Sequence, residues 1–205
     1  MMSPLDHDEA RTGSRSATFA RVMAVGVLLV ASALLFAACG NGGGSATSCV
    51  GTGCSCAANN ACTCTAGTDC KATCGETGCS LACATAAKCN ASATGPVTLT
   101  CNDSSECKGN AGNGSMIVCQ AASKCDLKAG DGSSASCSSS SDCKLNLGAR
   151  STVSCTDMST CTVKCDGDCA VTCAATATCD VQCGQDGAIG GTSCTDGRVV
   201  CGTCA

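Results

Sequence analysis

Apolar and small residues recur through the middle of this chain with a period of about 18 residues, as expected of a repeat protein. One column of such positions contains Leu81, Leu99, Ile117, Ala135, Val153 and Val171, and another contains Ala91, Gly109, Leu127, Leu145, Val163 and Val181. Alternate residues of a β-strand point to the same face of a sheet. The columns therefore predict two short strands in each repeat unit, each with an apolar face turned inward.

The cysteines keep the same period as the apolar columns. Six C-x5-C pairs recur at this interval, and they are Cys83 and Cys89, Cys101 and Cys107, Cys119 and Cys125, Cys137 and Cys143, Cys155 and Cys161, and Cys173 and Cys179. A fixed period over successive units is typical of repeat proteins, in which each unit stacks on its neighbours. The predicted fold is all-β: a disulfide-rich β-solenoid, or parallel β-helix, with about 18 residues per coil.

Two further columns support a stacked coil. Gly112, Gly130, Gly148 and Gly184 fall at multiples of the same spacing and are predicted to form a turn in which φ is positive. Charged residues form two columns of alternating sign, which are Lys88, Glu106, Lys124 and Asp142, and then Lys108, Asp126 and Lys144. In-register parallel stacking would place each charge about 4.8 Å from an opposite charge. The alternation therefore predicts that neighbouring coils stack in register.

Composition describes an unusual core. The chain has 205 residues, of which 27 are cysteine and 25 are glycine, and it has no Trp or Tyr. Phe19, Phe36 and the single histidine, His7, all precede residue 39. Because aromatic side chains supply much of the buried area of ordinary cores, this core must be thin and cross-linked. The net charge of −4 provides no basic surface, so no nucleic-acid partner is expected.

The N-terminal segment has the pattern of an export signal. Arg11, Arg15 and Arg21 precede a run of 17 apolar or small residues over 22–38, which ends directly before Cys39. This junction resembles a bacterial lipobox, and the resemblance implies cleavage before Cys39 and lipidation of its side chain. Attachment to a membrane through a lipid anchor is therefore expected. The alternative is an uncleaved N-terminal membrane anchor, although the run is short for a membrane span.

Cysteine number agrees with export. Setting Cys39 aside leaves 26 of the 27 cysteines, an even number that allows up to thirteen disulfides in an oxidising compartment. Bridges within each C-x5-C pair are favoured, and bridges between equivalent cysteines of neighbouring coils remain the competing connectivity. Cys165 and Cys183 share a column and are candidates for a bridge from coil to coil. In the C-terminal C-x-x-C motif, Cys201 and Cys204 are expected to be capping disulfide partners.

The chain divides into five predicted segments. Residues 1–38 are the lipoprotein signal peptide, 39–48 are the lipidated cysteine with a Gly/Ser-rich tether, and 49–80 are a cysteine-dense N-terminal cap. Residues 81–190 are the regular repeat solenoid, and 191–205 are a C-terminal disulfide cap. Repeat arrays generally need atypical ends of this kind to protect the last coil.

The regular units resemble the coils of beetle antifreeze β-helices, which also pair cysteines as C-x5-C. Those coils display an outward Thr-Cys-Thr array, whereas here the first cysteines are flanked by residues such as Ala82, Asn102 and Gln120. The resemblance therefore implies a fold and not ice binding. As a whole, leader plus repeats resembles the Cys-rich repeat lipoproteins of myxobacteria and related bacteria. That resemblance implies an envelope location and no defined activity.

Catalytic chemistry has little support in the sequence. No histidine follows His7, so the commonest general base is absent from the repeats. The acidic residues are spread over repeat faces instead of converging on one site. No enzyme activity, catalytic residue or cofactor is predicted.

Two features bear on metal chemistry. The C-x-C motifs at Cys54/Cys56 and Cys62/Cys64 suit soft metals, but export favours oxidised cysteines. The stretches 112–114 and 130–132 faintly resemble calcium-binding β-roll turns, yet they lack the nine-residue period of those turns and are expected to be ordinary turns. No metal site is predicted.

The sequence thus predicts a lipid-anchored, disulfide-cross-linked protein of the cell envelope with a structural, protective or adhesive role. Gly40 after Cys39 resembles outer-membrane sorting in the lipoprotein family, so the outer membrane or cell surface is the expected location. The alternative function is an envelope metal-binding or thiol-buffering protein that uses its cysteines. No particular protein or surface partner can be named.

Overall fold

The computed structural model of this protein describes residues 47–184 and 186–204. The predicted signal peptide, Cys39 and most of the predicted tether lie outside these residues. Within the described ranges every regular element is a β-strand. No helix there is long and apolar enough to cross a bilayer.

The described residues form nineteen strands. They are β1 (Ser48–Val50), β2 (Cys54–Cys56), β3 (Ala61–Cys64), β4 (Asp69–Cys74), β5 (Cys79–Cys83), β6 (Lys88–Ala93), β7 (Val97–Cys101), β8 (Glu106–Ala111), β9 (Met116–Cys119), β10 (Lys124–Ala129), β11 (Ser134–Cys137), β12 (Asp142–Leu147), β13 (Thr152–Cys155), β14 (Thr160–Cys165), β15 (Ala170–Cys173), β16 (Thr178–Cys183), β17 (Ile189–Gly190), β18 (Thr192–Ser193) and β19 (Arg198–Val200).

Fourteen of these strands, β3 to β16, build seven coils of a β-solenoid. Each coil contributes its first strand to one sheet and its second strand to the other. We call these sheet B, ordered β18-β19-β15-β13-β11-β9-β7-β5-β3-β2, and sheet A, ordered β1-β4-β6-β8-β10-β12-β14-β16-β17. The predicted β-solenoid, with one coil for each period of the sequence, is confirmed.

Neighbouring coils stack in parallel and in register. In sheet A, Leu127 of β10 lies opposite Gly109 of β8 and Leu145 of β12. In sheet B, Ala135 of β11 lies opposite Ile117 of β9 and Val153 of β13. The two residues of each pair are adjacent members of one sequence column, so the sequence period equals one coil.

The first coil is one residue longer than the others. Cys64 pairs with Cys83 and Cys70 with Cys89, and both steps are one residue longer than the next step, from Cys83 to Cys101. The extra residue lies in the turn 75–78 between β4 and β5, because β5 and β7 are again separated by the regular period. Parallel stacking therefore begins at β3, within the segment 49–80.

Inward positions alternate with outward ones along the strands. In β10 and β12 exposed and buried residues alternate without a break. The largest buried side chains are aliphatic and include Leu81, Leu99, Ile117, Leu127 and Val163. Burying each contributes about 1.5–3 kcal/mol relative to leaving it exposed. The core is thus a stack of single aliphatic layers, which explains how the coils form without aromatic residues.

Antiparallel strands cover all four edges of the two sheets. At the N-terminal end β1 pairs with β4 and β2 pairs with β3. At the C-terminal end β17 pairs with β16 and β19 pairs with β15. An open edge strand offers unpaired N–H and C=O groups to other chains. The antiparallel strands pair with part of each edge strand and interrupt the parallel stacking that would otherwise continue from one molecule to the next.

In the third to sixth coils, the turn after the first cysteine has a left-handed backbone without glycine. Ala121 and Ala122 have φ of 55° and 59°, and Ser139 and Ser140 have φ of 54° and 62°. The backbone N–H of Ala122 donates to Ser139 O at 2.8 Å, and equivalent bonds join the other coils. This hydrogen bond to the next coil offsets the steric cost of a left-handed conformation in residues with a Cβ.

Three of the predicted turn glycines do not have the positive φ that was the predicted reason for glycine there. Gly112, Gly130 and Gly148 do not have positive φ, which falls two residues later, at Gly114 and Gly132. Space is the reason for glycine at these positions: a Cβ at Gly130 or Gly148 would collide with the side chain of the previous coil's residue 113 or 131. Gly184 does have the predicted positive φ, of 83°.

Candidate functional site: the cysteine column and the two outer faces

The cysteines of each coil face one another across the core. In each of the seven coils, the first strand ends on a cysteine and the second strand has a cysteine as its second residue, with a turn of four residues between the two strands. The structure joins the two within each coil, as Cys64–Cys70, Cys83–Cys89, Cys101–Cys107, Cys119–Cys125, Cys137–Cys143, Cys155–Cys161 and Cys173–Cys179. Their Cα atoms are 5.9–6.5 Å apart, within the normal range for a disulfide.

The proposed bridge between Cys165 and Cys183 is wrong. Cys165 bonds to Cys169 and Cys183 bonds to Cys201. Cys165 and Cys183 are indeed paired neighbours in sheet A. However, the Cβ bonds of in-register parallel neighbours point in the same direction, whereas a disulfide needs them to converge. Cys183 instead bonds to Cys201, and this bridge attaches the C-terminal cap to the last coil.

Thirteen bridges use all 26 cysteines from Cys49 to Cys204. Four of them hold the ends: Cys49–Cys54, Cys56–Cys62, Cys183–Cys201 and Cys194–Cys204. The C-x-x-C cysteines, Cys201 and Cys204, therefore belong to two different cap bridges. A free thiolate is the reactive form of cysteine, and the described part of the chain contains none.

Sequence reasoning missed a ladder of buried serines beside the glycine turns. The hydroxyls of Ser115, Ser133 and Ser151 each donate to the carbonyl oxygen three residues earlier, at 2.7 Å. Each also accepts the backbone N–H of the residue one coil earlier, as in Ser133 Oγ with the N–H of Ser115 at 3.2 Å. The recurrence of serine at this spacing was visible in the sequence. What it does was not, because the hydroxyl's two partners lie in different coils.

A second serine column lies beside the cysteines. Ser105, Ser123, Ser141 and Ser159 precede the second strand of their coils and are 0–1% exposed. Ser159 donates to Cys137 O at 3.1 Å, whereas the hydroxyls of Ser105 and Ser123 have no hydrogen-bond partner. Ala87 and Ala177 occupy the same column. The buried space at this column therefore accommodates only a small side chain. At the two alanine positions the coil forms without a hydroxyl there.

The Gly-Asn-Gly and Gly-Asp-Gly turns are joined by their own side chains. Asn113 Oδ1 accepts the backbone N–H of Asp131 at 3.0 Å, and Asp131 Oδ1 accepts the N–H of Ala149 at 3.0 Å. The other carboxylate oxygen of Asp131 lies 3.7 Å from Arg150. These oxygens therefore act as turn caps between coils, as expected of ordinary turns.

The outward face of sheet A carries the alternating charges. Lys124 lies directly opposite Glu106 and Asp142, and Asp126 lies opposite Lys108 and Lys144, so the predicted register is confirmed. All seven lysines of the described ranges are exposed on this face, and they are Lys71, Lys88, Lys108, Lys124, Lys128, Lys144 and Lys164.

One ion pair on this face joins two residues of the same strand. Lys108 Nζ lies 2.7 Å from Glu106 Oε1, two residues earlier in β8. The hydrogen bond and positive charge of Lys108 hold the pKa of Glu106 below its ordinary value, with smaller contributions from Lys88 and Lys124. The same hydrogen bond raises the pKa of Lys108. Both groups are on the surface, where ion pairs contribute little to stability.

The outward face of sheet B has the opposite character. Its seven stacked strands carry no charged residue at the outward positions within the described ranges. The fourteen positions are Ala61, Thr63, Ser80, Ala82, Thr98, Thr100, Met116, Val118, Ser134, Ser136, Thr152, Ser154, Ala170 and Thr172, nine of which carry hydroxyls. The solenoid is thus two-sided, with a charged sheet and an uncharged sheet of small side chains.

Among the described residues, the third group with a shifted pKa is Asp196 in the C-terminal cap. The backbone N–H and the guanidinium of Arg198 donate to the Asp196 carboxylate at 3.1 and 2.6 Å, which lowers the pKa of Asp196. This carboxylate and the Glu106–Lys108 pair are each bound by their own neighbours on the surface.

Comparison with known proteins adds no further assignment: no protein-family model, curated protein or solved structure matches this chain.

Proposed function

We propose that this protein is a lipid-anchored, disulfide-cross-linked protein of the cell envelope with a structural, protective or adhesive role. The observation that carries this proposal is the complete pairing of cysteines. Thirteen bridges use all 26 cysteines after Cys39, which leaves none of them to pair with Cys39. Such pairing belongs to an oxidising compartment, and a single remaining cysteine at the end of an apolar leader suits lipidation.

The proposed location follows from the leader. The junction before Cys39 resembles a lipobox, and the cysteine repeats resemble those of myxobacterial Cys-rich repeat lipoproteins. Gly40 at the next position favours the outer membrane or the cell surface. The Gly-rich stretch 40–48 has the composition of a flexible linker, which would let the solenoid stand off the membrane surface.

The structural role is supported by the way the coils are held. Each coil is closed by its own bridge, successive coils are joined by backbone ladders, and buried serines add hydrogen bonds between them. Closing a loop of the C-x5-C size stabilises the fold by about 2–2.5 kcal/mol in the chain-entropy treatment. A rod built from such units is suited to persist outside the cell, where proteases and denaturing conditions act on any chain that opens.

Metabolic labelling of the full chain tests the anchor. Expressed in a bacterium that processes lipoproteins, the wild-type protein should incorporate radiolabelled palmitate and be retained in the membrane fraction. Its mature N-terminus by mass spectrometry should be a lipid-modified Cys39. The Cys39→Ser variant is the matched control and should carry no label. Equal membrane retention of an unlabelled wild-type chain with residues 1–38 intact would instead support the uncleaved anchor.

A further inference from the structure

Sulfur atoms of neighbouring coils form compact groups of three in the core. In each group, three Sγ atoms all lie within 4.8 Å of one another. The groups are Cys83, Cys89 and Cys107; Cys101, Cys107 and Cys125; Cys119, Cys125 and Cys143; and Cys137, Cys155 and Cys161. Every group combines the two cysteines of one coil with one cysteine of the next or previous coil. The disulfide column is therefore continuous over five coils.

We propose that, once the bridges of these five coils are reduced, the column binds three thiophilic metal ions, with Cu(I) the best-suited ion. Each bridge accepts two electrons and two protons from an external dithiol, which closes to its own cyclic disulfide. The two thiols formed stay on their strands. Metal binding then releases thiol protons to solvent as the sulfurs become ligands. This proposal goes beyond the structural role and does not depend on it.

The coils hold the sulfurs in place without the bridges. Cys107 and Cys125 are fixed by the backbone ladder between β8 and β10, in which they are direct partners. At the next inward position of β10, Leu127 is paired with Leu145 of β12. None of these contacts requires an S–S bond. Ligand atoms should therefore remain grouped after reduction, and a bound ion would restore a cross-link between coils.

The size of each group fits a metal ion. With metal–sulfur bonds of about 2.3 Å, sulfurs on one ion lie roughly 4 Å apart. In each group two sulfurs are bonded to each other, and the third lies within 4.8 Å of both. Breaking the S–S bond removes the constraint on χ1, and rotations about χ1 would then separate the bonded pair to the spacing that one ion needs.

The chemistry of the surroundings favours Cu(I). Thiolates select soft ions such as Cu(I) and Zn(II). Structural Zn(II) takes four ligands, whereas each group here offers three. The cysteines that form the groups are all buried, and no histidine exists after His7 to serve as a fourth ligand. An ion that accepts a low coordination number is therefore preferred.

The number of ions follows from shared cysteines. The first, third and fourth groups have no cysteine in common, whereas the second shares Cys107 with the first and Cys125 with the third. Three separate sites thus use nine of the ten thiols of the five coils. The remaining thiol is Cys101, which belongs only to the second group.

Titration with Cu(I) tests the proposal. The full chain is reduced by a dithiol under anaerobic conditions, freed of reductant, and titrated with Cu(I) in the presence of a chromophoric Cu(I) chelator that removes weakly held ions. Native mass spectrometry counts the bound ions, X-ray absorption identifies their ligands, and far-UV circular dichroism follows the β-structure. We expect three ions with sulfur-only ligands, retained β-structure, and no ions on the oxidised protein.

Two double variants provide the matched comparison, since each removes two sulfurs and one bridge. Cys119→Ser with Cys125→Ser should bind two ions, because it destroys the third group and spares the first and fourth. Cys194→Ser with Cys204→Ser removes a cap bridge outside every group and should still bind three. Equal losses in both variants, loss of β-structure on reduction, or no ions on the reduced wild type would overturn the proposal.

Discussion

The hydroxyl of Ser133 accepts a hydrogen bond from the backbone N–H of Ser115, one coil earlier, at 3.2 Å. It also donates to Gly130 O at 2.7 Å, and its residue is 1% exposed. One small side chain thus hydrogen-bonds to a buried N–H and a partly buried carbonyl that belong to different coils. In a core without aromatic residues, such polar links between coils carry part of the work that side-chain packing does elsewhere.

Ser133→Ala should destabilise the protein because it leaves the Ser115 N–H and the Gly130 carbonyl without this partner. The cost of such unsatisfied buried groups is about 1–3 kcal/mol. Ser123→Ala is the matched control, since Ser123 is equally buried but its hydroxyl has no partner. It should be neutral or slightly stabilising. Urea unfolding of the oxidised proteins measures both, and equal effects of the two substitutions would refute the ladder's role.

Lys124→Glu should weaken stacking in sheet A, because it places a third negative charge between Glu106 and Asp142. At low ionic strength its melting temperature should lie about one to a few degrees below that of Lys124→Ala. The difference should shrink in 1 M salt, where charges are screened within about 3 Å. Identical melting temperatures of the two variants at low salt would count against the stacked charge columns.

The Glu106 carboxyl should titrate with a pKa below its ordinary value of 4.5. Because the pKa is lowered in the folded state, the ionised carboxylate stabilises the fold at pH values above its unfolded-state pKa. This stabilisation is lost as the pH falls through the folded-state pKa. A carboxyl-carbon NMR titration measures the midpoint directly. Lys108→Met should raise that midpoint, whereas Lys164→Met, distant along the stack, should not. A midpoint unmoved by Lys108→Met would contradict the ion pair.

Deleting residues 186–205 together with Cys183→Ser, which removes the thiol left without Cys201, should cause end-to-end association, because the edges of β16 and β15 lose β17 and β19. Light scattering should detect larger species whose size grows with protein concentration. The control is Cys194→Ser with Cys204→Ser, which removes a cap bridge and leaves β19 in the sequence. If the deletion variant stays monomeric at high concentration, the antiparallel cap is not what prevents association.

The sequence predicts the coil because its signals repeat. Leu99, Ile117 and the other inward residues fall in columns. A position whose orientation is ambiguous in one coil is therefore assigned from the equivalent position in the next coil. The register of Lys124 with Glu106 follows for the same reason. Period alone therefore specifies the solenoid, its in-register stacking and its two sheets.

What departs from the period could not be predicted in the same way. The bridge Cys64–Cys70 is also a C-x5-C pair, but the longer turn at 75–78 displaces it by one residue from the regular series. Cys165 and Cys183 share a column, yet the direction of their Cβ bonds, which the sequence does not display, rules out their bridge. The partners of Ser133 lie in separate coils, so its role emerges only once those coils are stacked.

Peptide mapping without reduction tests most directly whether each coil is closed by its own disulfide. Trypsin cleaves after Lys108, Lys124 and Lys128, which separates Cys119 in the peptide 109–124 from Cys125 in the peptide 125–128. Mass spectrometry of the alkylated, unreduced digest should find these two peptides joined to each other, with no alkylated cysteine. Cys119 joined to Cys101 or Cys137 would contradict the account.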